Sequence, residues 1–196
     1  MAPNRITRGG AARRAPLLLA IAVAAVALGA CGGDDDGSTT TAVPDKAADA
    51  EILNSVLARQ LAAVRAYDRT LPLLRGPALA TAREFRAQEQ EHGNAIVKSL
   101  RGLGEAAEPE EEEIESDELK TGAQGLEFLY DVESASVAFD LRAISHLTSP
   151  WPRSLLGSIA ANQAQHLVLI RRALGAKPLE TVPQAFETGE TPAPEG

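Results

Sequence analysis

The chain has 196 residues, 19 Lys and Arg against 27 Asp and Glu for a formal charge of −8, and a single cysteine. That acid excess repels nucleic-acid phosphates and anionic lipid head groups, which argues against a nucleic-acid-binding protein or a polybasic membrane patch. One cysteine allows neither an intrachain disulfide nor a thiolate metal cluster.

Arg5, Arg8, Arg13 and Arg14 precede an unbroken apolar run from Leu17 to Leu28. A basic segment followed by a short apolar one is the order of a secretory signal. The run has 12 residues, and a helix crossing hydrocarbon about 30 Å thick needs roughly 20, so removal is expected rather than retention as an anchor. Leu28-Gly29-Ala30-Cys31 follows at once, and it resembles the lipobox of bacterial lipoproteins. The resemblance implies cleavage before Cys31, diacylglycerol on its thiol and attachment to the outer face of the cell membrane. Arg13-Arg14 stands before Ala15-Pro16, which leaves the general secretory and twin-arginine routes both open.

Loss of residues 1–30 takes away four arginines and no acid, leaving 15 basic and 27 acidic side chains and a charge of −12. Lipid on Cys31 must then supply the membrane attachment. Residues 31–44 read as a flexible tether, since Gly32 to Thr41 (GGDDDGSTTT) has nothing to bury. Residues 176–196, with Pro178, Pro183, Pro192 and Pro194 among Glu and Thr, read as a loose tail. Residues 45–175 are enough for one domain with one core.

Within that span the spacing predicts four helices. The first is capped by Asp45, carries Ile52, Leu53, Val56, Leu57, Leu61, Val64 and Tyr67 at helical period, and stops before Pro72. A second opens at Pro77, carries Phe85, Ile96 and Leu100, and ends near Gly102 or Gly104. Glu105 to Glu118, with Pro109 and the run Glu110 to Glu113, reads as a solvated acidic crossover loop. The third carries Leu126, Leu129, Tyr130, Val137, Ile144 and Leu147. Pro150-Trp151-Pro152 is expected to turn the chain into a fourth helix, whose stripe is Leu155, Ile159, Ile170 and Leu174 before Gly175. No run alternates as a strand would. The class is all-α.

Each apolar stripe is interrupted by polar residues: Gln60 on the first helix, Glu89 and His92 on the second, Glu133 and Asp140 on the third, Gln163 and His166 on the fourth. A carboxylate or imidazole turned into a core costs several kcal/mol unless a partner or metal receives it, so these residues are expected to meet. The spacing repeats, with 29 positions from Gln60 to Glu89, 30 from Glu133 to Gln163, and a histidine three residues further on in each half. The chain reads as two related helix hairpins about a pseudo-twofold axis.

This pattern resembles the ferritin-like superfamily, in which two helices each give a Glu and the other two each give Glu-x-x-His to a carboxylate-bridged metal pair. The resemblance implies an antiparallel four-helix bundle and a metal set of Glu89, His92, Glu133 and His166. Gln60 and Gln163 stand as weaker members where the family has glutamates. By position, Glu133 and His166 with a bridging Glu89 make the better preserved half-site, and Gln60 with His92 the poorer one. Two divalent ions carry four charges, and only Glu89 and Glu133 oppose them, which disfavours a di-metal centre. One ion, Fe, Mn or Zn, suits two carboxylates and imidazole. Tyr67 and Asp140 are expected behind these ligands, Glu91 in solvent and His146 near the end of its helix.

Two functions remain. One is a tethered extracytoplasmic protein binding a divalent metal, with bound or buffered metal favoured over rapid redox turnover. The other is a metal-free helical envelope protein in which the same residues fix helix register. No catalytic nucleophile set is found. A monomer or small oligomer suits lipid at the N-terminus, and the protein partner is open.

Overall fold

A computed structural model of the protein describes residues 43–115 and 118–181. The expected signal segment, Cys31, most of the tether and the tail beyond Thr181 lie outside the described residues. The elements in chain order are α1 (Lys46–Thr70), a 3-10 turn (Leu71–Leu73), α2 (Gly76–Leu103), α3 (Gly122–His146) and α4 (Pro150–Ala173). Every regular element among the described residues is helical, as the periodicity predicts.

Local chemistry accounts for the helix ends. Asp45 accepts from the Ala48 backbone N–H at 3.1 Å and opens α1. Pro77 stands in the first turn of α2, where its missing N–H costs nothing. Gly104 ends that helix in the left-handed region at φ +91, a conformation glycine adopts without a Cβ clash. Thr121 and Gln124 form a reciprocal capping box at the start of α3. One expectation needs correcting. Pro150-Trp151-Pro152 does not turn the chain but forms the first turn of α4, because that turn has no use for proline N–H donors.

The helices form an antiparallel bundle, and the core shows it directly. One apolar cluster joins Leu53 and Leu57 of α1, Ile96 and Leu100 of α2, Ala143 of α3 and Leu156 and Ile159 of α4. The start of α1 therefore lies with the end of α2, the end of α3 and the start of α4. A second cluster, at the opposite end, joins Ala63, Ala66 and Tyr67 to Phe85, Leu126, Leu129, Leu167 and Ile170. Burying each leucine of these clusters stabilises the fold by about 1.5–3 kcal/mol. Between the two clusters lie Gln60, Glu89, Glu133, Gln163 and His166, all buried.

The acidic crossover is a loop whose glutamates are mostly exposed, as expected, and it is also strapped along α1. Arg59 pairs with Glu112 at 2.5 Å. Arg69 donates to the Ile114 carbonyl at 3.3 Å, and Asn54 accepts from the Glu108 N–H at 2.8 Å. Basic residues on one flank of α1 thus offset the self-repulsion of the glutamates.

Asp49 locks the other connection. Buried in the first turns of α1, it accepts from the backbone N–H of Thr148 at 2.6 Å and of Ser149 at 2.8 Å. It thereby ties α1 to the turn between α3 and α4. Burial alone would raise its pKa, but hydrogen bonds from Ser149 and Thr148 hold it below the usual carboxylate range. A depressed folded-state pKa contributes stability that is present above the unfolded value, about 3.9, and is lost as pH falls through the folded one. Asp49→Ala should lower unfolding free energy by about 2–3 kcal/mol in urea titrations at pH 7. The difference between wild type and Asp49→Asn should shrink as pH falls below about 4. A difference that stays constant down to pH 2 would contradict the clamp.

Gly125 sets the approach of α3 to α1. A Cβ there would stand 2.7 Å from Thr70 Cγ2, itself buried. Gly125→Ala is expected to destabilise by about 1–3 kcal/mol despite better helix propensity. Thr70→Ser, which removes the clashing methyl, should recover most of that loss in a double-mutant cycle.

Candidate metal centre

One carboxylate oxygen from Glu89, one from Glu133 and a ring nitrogen of His166 all lie within 4.8 Å of one another, and all three residues are buried. They come from α2, α3 and α4, so the group exists only in the assembled bundle. Glu133 Oε1 accepts from the Tyr67 hydroxyl at 2.5 Å and faces His166 Nδ1 at 3.0 Å. Glu89 Oε1 lies 3.4 Å from the same nitrogen. Glu89 Oε2 accepts from Gln163 Nε2 at 3.1 Å and faces His92 Nδ1 at 3.4 Å. Gln163 Nε2 also lies 3.4 Å from Gln60 Oε1, which completes an amide relay across the bundle.

The other candidate residues take distinct places. His92 lies beside the three-residue group, touching Glu89, with its ring 6.5 Å from that of His166. Gln60 and Gln163 are fully buried; Gln163 donates its amide hydrogen to Glu89, and Gln60 accepts from the same amide through its oxygen. Tyr67 stands directly behind Glu133. Asp140 is fully buried, and neither of its oxygens has a hydrogen-bond partner. Glu91 and His146 are exposed.

Two contacts escape any reading of the polar stripe. Gln88 Oε1 lies 2.7 Å from His166 Nε2; a carbonyl oxygen only accepts, so Nε2 carries a proton and Nδ1 is the nitrogen turned to the carboxylates. Phe85 stacks on the His166 ring at 3.8 Å. Gln88 is half-buried, three residues after Phe85 and beside Glu89, and a neutral amide at the edge of the stripe carries no burial cost that would have singled it out. Phe85 reads in sequence only as core.

Burial and charge set the protonation of this group. Burial opposes charge on His166, yet the carboxylates of Glu133 and Glu89 raise its pKa from 6.5 to about 9. Glu89 is pushed up by burial but held below the usual range by hydrogen bonds from His166 and His92. Glu133 is raised by burial and by the charge of Glu89, against the pull of His166. Burial and then the neighbouring Glu89 charge raise Asp140 well above the usual carboxylate range, against the pull of Arg59. Burial and then Glu133 raise Tyr67 well above 10, so its hydroxyl remains a donor.

Glu133 Oε2 is buried without a hydrogen-bond partner, and Glu89 Oε1 has only the long 3.4 Å contact with His166 Nδ1. One oxygen from each of Glu89 and Glu133 with a ring nitrogen of His166 forms a donor set of two carboxylates and one imidazole, which fits a divalent ion of the Zn, Mn or Fe type. The Gln60 and Gln163 amides bring no charge to this set, and the Gln163 NH₂ already occupies Glu89 Oε2. A cavity of about 350 Å³ between α2 and α4 reaches Tyr67 and Phe85 from the surface, with Thr81 and Arg172 also on its wall.

Comparison with known proteins agrees with this geometry. Residues 48–176 match the ferritin-like domain. A conserved hypothetical protein of Mycobacterium tuberculosis is similar in fold, with a TM-score of 0.59 and 15% identity over 65% of this chain and 98% of the other. A protein described as ferritin like and diiron-carboxylate, from Bacillus anthracis, gives a TM-score of 0.55 and 18% identity over 68% of this chain and 99% of the other. At such identity the likeness is one of fold. No curated protein matches the sequence.

The raised His166 pKa makes a test of the group itself. A raised folded-state value contributes stability that is present below the unfolded pKa and lost as pH rises through the folded one. Chelator-treated protein should therefore lose stability as pH rises from about 6.5 to 9. His166 ring resonances should titrate near the upper end, and Glu133→Gln should lower that midpoint. A His166 midpoint near 6.5 in the wild type would show that the ring and carboxylates do not share a proton.

Proposed function

Because this chain belongs to the ferritin-like domain family, we propose that it binds one divalent metal ion at Glu89, Glu133 and His166, as a lipid-anchored protein on the outer face of the cell membrane. The observation that carries the metal reading is the buried group itself, with ligand atoms of Glu89, Glu133 and His166 within 4.8 Å of one another and Glu133 Oε2 left without a hydrogen-bond partner. Buried anionic oxygens without a donor are costly, and a cation is the partner that offsets that cost.

The chain's own residues divide the work. Glu89 and Glu133 supply the charge. Gln88 holds the His166 Nε2–H, so that once Nδ1 gives up its proton its lone pair faces the carboxylates. Tyr67 orients Glu133 through its hydroxyl, and Phe85 shields the far face of the imidazole from water. The Gln163 amide spends one oxygen of Glu89, and this separates the chain from a charge-balanced two-ion site. The ion supplies Lewis acidity and, if redox-active, an electron. His166 must lose its Nδ1 proton on loading, so affinity should rise with pH up to about 9.

The anchor reading rests on the N-terminal order of arginines, apolar run and Leu28-Gly29-Ala30-Cys31. Among the described residues no helix is long and apolar enough to cross a membrane. On this reading attachment falls to Cys31, which mass spectrometry of membrane-extracted protein would read as a lipid-modified N-terminus.

Purification without chelator, followed by Fe, Mn or Zn reconstitution and metal analysis, is expected to give one ion per chain. Glu133→Ala should abolish binding, and His166→Ala should weaken it by at least about 100-fold, while Gln60→Ala costs no more than about tenfold. No bound metal under any of these conditions would leave the carboxylate and amide cluster as a device that fixes helix register. Equal losses at His166 and Gln60 would overturn the one-ion assignment.

A further inference from the structure

At the end of the bundle where α1 finishes and α2 starts, the four helices leave a space between them. A cavity of about 350 Å³ opens there, and its inner wall is formed by Tyr67 of α1, Ala82 and Phe85 of α2, Leu129 of α3 and Ile170 of α4, all buried. The Tyr67 hydroxyl is spent on Glu133, and the Phe85 ring stacks on His166. The side chains of this wall therefore offer a guest only hydrocarbon and ring surface.

The rim has a different character. Pro77 and Ala78 place the first turn of α2 on it, and Arg75, the N-cap of that helix, makes no side-chain capping hydrogen bond. The positive end of the α2 dipole is thus uncapped at the rim. Its negative counterpart at the end of α4 is covered, because the carbonyls of Ile170, Arg171 and Arg172 accept from the N–H groups of Leu174, Ala176 and Gly175 at 2.9, 3.0 and 3.1 Å. Arg172 is exposed on the same rim, and its guanidinium has no hydrogen-bond or ion-pair partner among the described residues. The Thr81 hydroxyl, one turn after Pro77, likewise has none. No Asp or Glu lines the cavity, in a chain with 27 of them. Glu84, the acid of this part of α2, accepts from Gln88 Nε2 at 3.2 Å.

We propose that the cavity binds one single-chain aliphatic carboxylate, with its chain against Tyr67, Phe85 and Leu129 and its carboxylate at the rim among Arg172, Thr81 and the first turn of α2. Volume sets the chain. At the roughly 30 Å³ that each water takes in the liquid, 350 Å³ holds about twelve non-hydrogen atoms, which is the size of decanoate and too little for a diacyl lipid. Charge sets the head group. One guanidinium, one hydroxyl and an uncapped helix turn suit a single negative charge, whereas an ammonium would meet only its own sign. The occupant touches the two side chains that back Glu133 and His166 but takes no ligand atom of that group, so the site stands apart from the metal reading.

The test is calorimetric titration of the full chain, with and without chelator treatment, in digitonin, whose steroid body is too large for this cavity. Affinity should rise by about fourfold per methylene from hexanoate to decanoate and level off from dodecanoate onward, once the space is full. Decylammonium should bind at least about tenfold more weakly than decanoate, and Arg172→Glu should weaken decanoate by a similar factor. Ala78→Trp, which fills the rim, should abolish binding, with helical circular dichroism unchanged in both variants. Affinity that goes on rising through hexadecanoate, in the wild type and Ala78→Trp alike, would show partition into detergent and overturn the proposal. Equal affinity for decylammonium and decanoate, or no binding of any of these acids, would overturn it as well.

Discussion

Two carboxylates and an imidazole sit in the middle of an apolar bundle, where none of them can be left unpaired. Glu89, Glu133 and His166 meet this constraint among themselves: the raised pKa of His166 supplies a positive charge between two anions. The Gln163 and Gln60 amides carry the satisfaction on to α1. Because one residue of the group comes from each of α2, α3 and α4, and Tyr67 adds α1, any slip in the register of one helix would unpair a buried charge. Apolar packing on either side, around Leu53 and Leu100 at one end and Phe85 and Leu129 at the other, tolerates such slips far more readily.

The two glutamines decide how much charge this centre can hold. An ionised carboxylate at position 60 or 163 would add to the repulsion that already raises Glu133 and Asp140. An amide instead donates, and its NH₂ removes one oxygen of Glu89 from the available set. The result is a smaller, nearly self-neutralised site. Asp140 belongs to the same balance: without a hydrogen-bond partner and close enough to feel Glu89, it is raised well above the usual carboxylate range by burial and then by that charge, which opposes a third anion beside Glu89 and Glu133.

Away from the centre, the connections hold the helices by backbone capture. Asp49 gathers the N–H groups at the start of α4, and the arginines of α1 gather carbonyls and a glutamate of the crossover. Each uses a charged side chain where water is partly excluded, so a few hydrogen bonds do what a longer apolar contact would otherwise do.

Periodicity and punctuation in the chain were enough for the four helices and their class, because the apolar spacing of Leu53 to Tyr67 or Leu126 to Val137 is a local property. The polar interruptions of that spacing likewise marked Glu89, Glu133 and His166 as residues that must meet, since burial of charge has a cost that does not depend on the partner's identity. The tertiary structure alone settled which partner each would have. Gln88 and Phe85 reach His166, Asp49 reaches the α3–α4 turn, and Gly125 fits against Thr70, through contacts between residues far apart in the chain or off the stripe. Proline at positions 150 and 152 was ambiguous for the same reason: a proline breaks a helix or begins one, and only the packing of Pro152 beneath exposed Trp151 shows which.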